Sequence, residues 1–461
     1  LVDVPLCKAA VQYASDEVVE IQQIVTEVTE GAITSVRSPK MKEWVLERVG
    51  EKAKELMVVY KDGEKKYSID KTVRANLILM EDPDEIPPAV AEVIQCADDM
   101  GSSSVAKFSR LANLADEEDS RVRGVFVFAG GSATGRASSY GAQLHNFPRK
   151  CAAEPDAVRT AMVRGHSIVP KYGKRVTDVL KGMLRPALIP SSGKSLVVAD
   201  WAAIEARANP WLSGVGQDKL DLFRTGADVY KVNAAATFGV AVDNVDKEQR
   251  QIGKVQELAC GFAGGVGAFA AMGRAYGVLL PESDARRMVD GWRRANPWAP
   301  TYWQALESAY LRAMRNKGHE FKAGRVTYLY DGVHLWYMLP SGRVLNYPFA
   351  KFDAEGNVTY AKAAWKPAAD AKEWPRARLW RGLACENITQ AAANDLLRHS
   401  LREFDKLGLE TVLHVHDEAV IETDKPEEVA ALMRQVMCTP PAWAEGLPLD
   451  IEVQTMTRYG K

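Results

Sequence analysis

The chain has 461 residues, 47% hydrophobic and 26% charged, with 59 Lys and Arg against 60 Asp and Glu. This balance excludes a disordered chain and, at a net charge of -1, a uniformly basic nucleic-acid coat. No run approaches 18 apolar residues, which excludes a membrane-spanning helix. At roughly 150 residues per domain, the length predicts about three domains or one multilobed enzyme.

Residues 1–120 carry helical periodicity. Ser38-Pro39, followed by Met41, Trp44, Val45, Leu46 and Val49, reads as a helix start with Pro near its first turn. The pair Pro87-Pro88 starts another helix inside the stretch 81–99, which holds seven acids and no Lys or Arg. Such a run reads as a solvated face. Ser102-Ser103-Ser104 breaks the pattern before a helix from about Val105 to Leu114. Val125-Phe126-Val127-Phe128 reads as a strand. The Gly/Ser-rich stretch after it, through Gly141, fits either a flexible connector or a close approach of backbone to a ligand.

Two segments are locally basic, Arg149–Arg185 and Arg286–Arg325, each with nine Lys/Arg against three Asp/Glu. They read as a polyanion footprint or as ordinary helix surface. Beyond them, Val326–Leu339 is β-rich up to the turn Pro340-Ser341-Gly342, Gly382–Phe404 is a long helix, and Thr411–Glu422 is a hairpin. This mixed order predicts an α+β fold rather than a regular parallel sheet. The six cysteines (Cys7, Cys96, Cys151, Cys260, Cys385, Cys438) show no C-x-x-C spacing. That argues against a zinc site or a disulfide framework and fits a reducing cytoplasm. No signal-peptide pattern opens the chain, which starts at Leu1 rather than Met and leaves the upstream sequence open.

Three constellations carry chemistry. In Leu196-Val197-Val198-Ala199-Asp200, a buried apolar strand runs into a carboxylate, and Glu205 and Arg207 follow in a helical turn. An acid so placed is held rigidly and reaches solvent, as a metal ligand requires; the plainer alternative is a helix N-cap. In Val412–Glu422, apolar arms flank the tip His416-Asp417-Glu418. Adjacent acids at a tight turn repel one another, and a divalent cation offsets the repulsion; otherwise this is a surface turn. Together Asp200 and Asp417 fit a pair of Mg²⁺ ions about 3.5–4 Å apart, the arrangement used for phosphoryl transfer. Mg²⁺ prefers oxygen, so His416 is read as a positioning group. In the third constellation Arg250, Lys254, Leu258 and Phe262 recur every four residues. They form one stripe on a helix, cationic and then apolar. A nucleoside triphosphate wants that layout, although an amphipathic helix with two snorkelling cations shows it too. Gly264, Gly265 and Gly267 then end the helix.

In this order and at these separations the three segments resemble the family A DNA polymerases, the DNA polymerase I family. Asp200–Arg207 is similar to motif A, Arg250–Ala263 to motif B on its O helix, and His416-Asp417-Glu418 to motif C. Thr134-Gly135-Arg136 and Gln143-Leu144-His145-Asn146-Phe147-Pro148 resemble the T-G-R-L-S-S … N-L-Q-N-I-P segment, and Ile33–Leu46 the start of the thumb helices. Gly264–Phe269 and the tail Pro441–Leu449 have a phage flavour.

The resemblance implies a right-hand fold with an antiparallel palm and helical fingers and thumb. A palm edge would span 1–15, the thumb 16–114, the palm 115–209 and 346–461, and the fingers 210–345, with the O helix at 250–263. It implies a template-directed DNA polymerase that adds dNTPs to a primer 3′-hydroxyl. Asp200 and Asp417 would bind two Mg²⁺, with Mn²⁺ as a substitute, supported by Glu418. Arg250 and Lys254 would hold the triphosphate, Lys254 also giving a proton to pyrophosphate. Glu205 would exclude a ribose 2′-hydroxyl, and Phe262 would pack by the template base or the sugar. Arg136 and Gln390 would read the minor groove near the primer end, His416 would support that end, and Asn146 and Lys107 complete the expected DNA contacts. The partners implied are primer–template DNA, dNTPs and other replication proteins, with no membrane. The protein would be a monomer in the cytoplasm, that of a bacterial host if phage-encoded.

Departures from the family pattern bear on selectivity. Leu258 stands where a Phe or Tyr is usual, Phe262 replaces a Tyr, Ala203 a Gln, and Tyr230 a His that touches the triphosphate; Glu386 falls where Asn is frequent. None removes a metal ligand. The thumb-like pattern begins near residue 20, which leaves no room for a 3′–5′ exonuclease within the chain. Glu205 argues against a single-subunit RNA polymerase, and the retained Asp200, Asp417, Arg250 and Lys254 against a silent DNA-binding module.

Overall fold

A computed structural model describes residues 1–61, 64–80, 82–100, 105–362 and 373–460. The Ser102-Ser103-Ser104 break and Glu81 of the acidic stretch lie outside the described residues. The chain packs as two compact units: Leu1–Val125 with Ser139–Ser192 and Met456–Lys461, and Phe126–Ser138 with Gly193–Thr455.

The first unit is mainly helical. Its helices include α1 (Val4–Val28), α2 (Lys40–Leu46), α3 (Pro88–Met100) and α4 (Ala106–Leu114). The apolar spacing read from sequence becomes a core of Ile21, Val25, Met41, Trp44, Val45, Val90, Val93 and Ile94. Pro39 caps α2, and Pro88 opens α3, where a missing N–H costs nothing. Helix α1 runs without a break through the boundary expected between residues 15 and 16. Three cations of the basic segment 149–185 are tied within this unit. Arg159 pairs with Asp3 at 2.9 Å, Arg175 with Asp99 at 2.8 Å, and Arg185 is buried over the Tyr459 ring. Arg149, Lys150, Arg164, Lys171 and Lys174 remain exposed.

The second unit is built on a four-stranded sheet. Its strands are β1 (Ser195–Trp201), β6 (Thr411–Val415), β7 (Glu418–Thr423) and β8 (Ile451–Met456), in the order β6-β7-β1-β8. Strand β1 is interior, and Leu196–Ala199 are all buried, which explains the continuous apolar run. Helices α5 (Ile204–Ser213), α6 (Val229–Phe238), α7 (Lys247–Cys260), α8 (Glu282–Ala295) and α9 (Trp298–Arg315) follow β1. An antiparallel meander of β2 (Glu320–Ala323), β3 (Val326–Tyr330), β4 (Leu335–Met338) and β5 (Val344–Tyr347) leads to the long α10 (Arg381–Lys406). One core joins these parts, with Trp211, Trp292, Tyr302, Tyr328, Tyr337 and Phe404 fully buried. The α+β expectation holds: helices and antiparallel sheets.

Two expected elements differ in their bounds. The strand at Val125–Phe128 keeps only Phe126–Val127, because Ala129 turns the backbone to φ +52°. The helix expected at 250–263 runs from Lys247 to Cys260. Asp246 starts it with a capping box to Gln249. Ala263 at φ +59° turns the chain away, and a Cβ on Gly264 would lie 1.9 Å from the Ala259 carbonyl oxygen.

Candidate active site

Strand register brings the acids together. Glu418 lies opposite Asp200 in the β7–β1 ladder, so Asp417, one residue earlier, sits beside the end of β1. Val415 pairs with Glu418, which leaves His416 and Asp417 as a two-residue turn. Of the two, His416 alone has a positive φ, +57°. A non-glycine residue rarely takes that conformation, and such strain collects at functional sites. Asp200 and Asp417 are partly exposed and Glu418 is buried. Among the described residues no group of three or more His, Cys, Asp or Glu forms a ready metal cage. Two carboxylates suit Mg²⁺ nonetheless, because that ion takes its remaining oxygens from water and substrate phosphates.

Ala203, φ +53°, turns the chain from β1 into α5 and sets Glu205 in the first helical turn. Its carboxylate accepts from Arg136 Nη2 at 2.9 Å. The Arg136 segment is itself pinned. The Gly135 carbonyl accepts from Asn394 Nδ2 and Arg398 Nη2, and Arg343 donates to the Thr134 carbonyl. On α10, Gln390 Nε2 donates to Glu386 at 3.2 Å. Burial and the Glu205 charge raise the Glu386 carboxyl above its ordinary range, against the lowering pull of Arg136 and the Gln390 hydrogen bond. The expected minor-groove readers Arg136 and Gln390 therefore belong to one charged cluster with Glu205 and Glu386.

Helix α7 is fixed by its buried face. Glu257 Oε2 accepts from Lys219 Nζ at 2.8 Å, Asn233 Nδ2 at 2.6 Å and Trp292 Nε1 at 3.2 Å. The end of the helix is held as well, since Asn209 Nδ2 and Trp303 Nε1 both donate to the Gly261 carbonyl. This leaves Arg250, Lys254 and Leu258 partly or wholly exposed, one helical turn apart. Arg250 pairs with Asp228 at 2.6 Å and lies over the Tyr230 ring at 5.3 Å; Lys254 lies 4.7 Å over Tyr276. Asp228 also caps α6. Burial works to raise its carboxyl, but Arg250 and the backbone N–H groups of Lys231 and Tyr230 outweigh it and hold the carboxyl below its usual range. Phe262 falls in the turn beyond α7, off the helical stripe, and its carbonyl packs at Gly382 of α10.

The placement of α7 depends on a glycine. A Cβ at Gly253 would lie 2.1 Å from the Tyr230 carbonyl oxygen. Gly253→Ala is expected to push α7 from α6 and cost about 1–3 kcal/mol, as overpacking does. Thermal unfolding should show a lower midpoint.

Asn146 is exposed at the end of a short 3-10 turn. Lys107, also expected to contact DNA, is held within the fold. It is 6% exposed, its ammonium donates to the Asn146 carbonyl at 2.7 Å, and it faces the Phe147 ring. A buried cation already bound to a carbonyl is a structural tie.

The sequence profile of DNA polymerase family A matches residues 6–461. The chain belongs to DNA polymerase family A. It is 34% identical over 376 residues to a DNA polymerase of Bacillus phage SP02, covering 81% of this chain and 57% of that protein. It is 26% identical over 330 residues to a thermostable DNA polymerase I of Thermus thermophilus, 70% of this chain and 30% of that one. The chain thus spans about half or less of these relatives. The fold is similar to the POL domain of Pol1 from M. smegmatis, solved in complex with DNA primer-template and dNTP. The TM-score is 0.66 at 17% identity, over 100% of this chain and 67% of that one.

Within the family A frame, sequence reasoning missed three partners: Asp228 as counter-ion to Arg250, Tyr276 under Lys254, and Asn209 at the end of α7. The first was legible, because Asp228 before Val229-Tyr230 is an N-cap pattern. The other two depend on contacts far apart in sequence.

Proposed function

We propose that the chain is a template-directed DNA polymerase adding dNTPs to a primer 3′-hydroxyl with release of pyrophosphate. The observation that carries this reading is the Asp200–Glu418 register, which sets Asp417 beside Asp200 in the unit that also displays Arg250 and Lys254. The relative solved with DNA primer-template and dNTP supports the same choice of partners. Asp200 and Asp417 would hold two Mg²⁺, or Mn²⁺ in their place, with Glu418 behind them. When bound, the ions supply Lewis-acid charge to the attacking and leaving oxygens.

The remaining steps belong to the side chains. Arg250 and Lys254 bind the triphosphate, so Arg250 turns from Asp228 to phosphate, and Lys254 gives its proton to the leaving pyrophosphate. Tyr230 flanks Arg250, Leu258 lines the sugar, and Phe262 closes on the base. Glu205 crowds the ribose 2′ position. Arg136 and Gln390 face the minor groove, where correct pairs offer similar acceptors. His416 seats the primer end and Asn146 adds a polar DNA contact. Residues 1–15 supply a palm edge, 16–114 the thumb, 115–209 and 346–461 the palm, and 210–345 the fingers.

Primer extension tests the reading. A labelled primer–template with Mg²⁺ is expected to lengthen with dNTPs, to resist rNTPs, and to stay intact without nucleotide. Extension with rNTPs would favour an RNA polymerase. Tight DNA binding without extension would favour a silent binding module.

A further inference from the structure

Five non-glycine residues of the second unit have positive φ among the described residues: Ala129, Ala203, Ala263, Phe349 and His416. Ala203, Ala263 and His416 turn the chain at the three motifs, and Ala129 opens the loop to Arg136. Phe349 lies in no motif. It holds φ +50° while its side chain stays 59% exposed, so the strain serves no burial. Its backbone is fastened at both ends. The N–H donates to His334 Nδ1 at 3.1 Å, and the carbonyl accepts from Arg376 Nη1 at 2.8 Å.

The ring belongs to an aromatic group. Phe349 meets His334 edge-on at 5.0 Å, and His334 meets Trp336 at 5.7 Å. Asp331 fixes the Trp336 indole at 2.7 Å and also accepts from the Val333 and His334 N–H groups. Burial opposes it, but these donors hold the Asp331 carboxyl down at about 2. Cations surround the group. Arg376 binds the Phe349 carbonyl, Lys351 is exposed two residues on, and the Lys317 ammonium lies over Gly332. Trp336 shares its face of β4 and β5 with the exposed Met338 and Val344, opposite the buried Tyr337. At about 3.3 Å per residue that face runs roughly 15 Å to the turn where Arg343 holds the Arg136 segment.

We propose that His334, Trp336 and Phe349 form a stacking platform for unpaired bases of the template strand, flanked by Lys317, Lys351 and Arg376. The assignment rests on the polymerase reading for the identity of the strand. Rigid aromatic faces among cations bind single strands with little sequence preference. The continuity of the face with the Arg136 anchor favours the template over a protein partner.

The test compares the affinity of the whole chain for primer–templates with a long and a one-nucleotide 5′ overhang. Wild type should prefer the long overhang by roughly fivefold or more. Phe349→Gly removes the ring, and glycine accepts the positive φ, so the fold is retained while the preference disappears. Phe349→Trp should keep it. A preference unchanged in Phe349→Gly, or absent from wild type, would overturn the platform. Failure of wild type to extend a primer, with a ring-dependent preference intact, would defeat the polymerase reading alone and still support the platform.

Discussion

Asp200→Ala and Asp417→Ala are each expected to abolish primer extension and to leave duplex affinity intact. The reason is positional. Asp200 lies one residue before the end of the buried strand β1, and Asp417 occupies a two-residue turn beside it, so the paired strands hold both carboxylates in place. Removing the Lewis-acid charge they would organise should raise the barrier by several kcal/mol, which at about 1.4 kcal/mol per tenfold is at least a thousandfold in rate. Binding should hold, because deleting an acid near a polyanion cannot weaken the phosphate contacts. Asp200→Asn and Asp417→Asn separate charge from shape. They preserve the turn and the side-chain volume and should lose extension to a similar degree. Single-turnover kinetics with a labelled primer, beside a binding isotherm on the same DNA, gives both readings. Extension by any of these variants within tenfold of wild type would rule out the assignment of the metal-binding pair.

The sequence made these two acids legible because their environment is local. An apolar run ending in Asp200 and a pair of apolar arms around His416-Asp417-Glu418 are patterns of neighbouring residues, and the sheet needed only to place them side by side. The register that does so, Asp200 opposite Glu418, lies beyond local pattern. The long helix Arg381–Lys406 and the α+β class were legible for the same reason. What escaped were features set by contacts distant in sequence. Lys107 reads as a surface cation, yet α4 turns it onto the Asn146 carbonyl. Helix α7 ends three residues before the expected bound for a local reason, the close approach of Gly264 to Ala259, so Phe262 leaves the stripe that four-residue spacing assigned to it. Several cations of the basic segments prove to be ties, among them Arg185 over Tyr459 and Arg325 on the Trp211 carbonyl. Composition counts such charges and cannot tell which face inward.

Glu205→Ala is expected to raise ribonucleotide incorporation by roughly ten- to a hundredfold, the range that a pocket gains or loses with a small steric group. The structure makes this more than a steric prediction, because Glu205 is held by Arg136 at 2.9 Å. By the family resemblance Phe262 stands where a Tyr and Ala203 where a Gln is usual, so neither position offers a side-chain hydrogen bond. Arg136 is its hydrogen-bond partner among the described residues. Arg136→Ala should therefore raise ribonucleotide use as well, by a smaller factor, since the carboxylate stays but loses its direction. The pair is partly exposed, and its contribution to stability is on the order of 1 kcal/mol or less, so both variants should fold. Glu386 adds a third effect. Its carboxyl is raised in part by the Glu205 charge, so removing Glu205 should lower it and draw Arg136 towards α10. That shift would take Arg136 from the primer end, so Glu205→Ala and Glu205→Gln, which both lose the charge, should both extend mispaired primers differently from wild type. Competition between dNTP and rNTP at a single template position, run on Glu205→Ala, Arg136→Ala and the double variant, decides the matter. A double variant no less selective than Glu205→Ala alone would show one coupled device. Independent, multiplying effects would return Glu205 to a purely steric role and leave Arg136 to the minor groove alone.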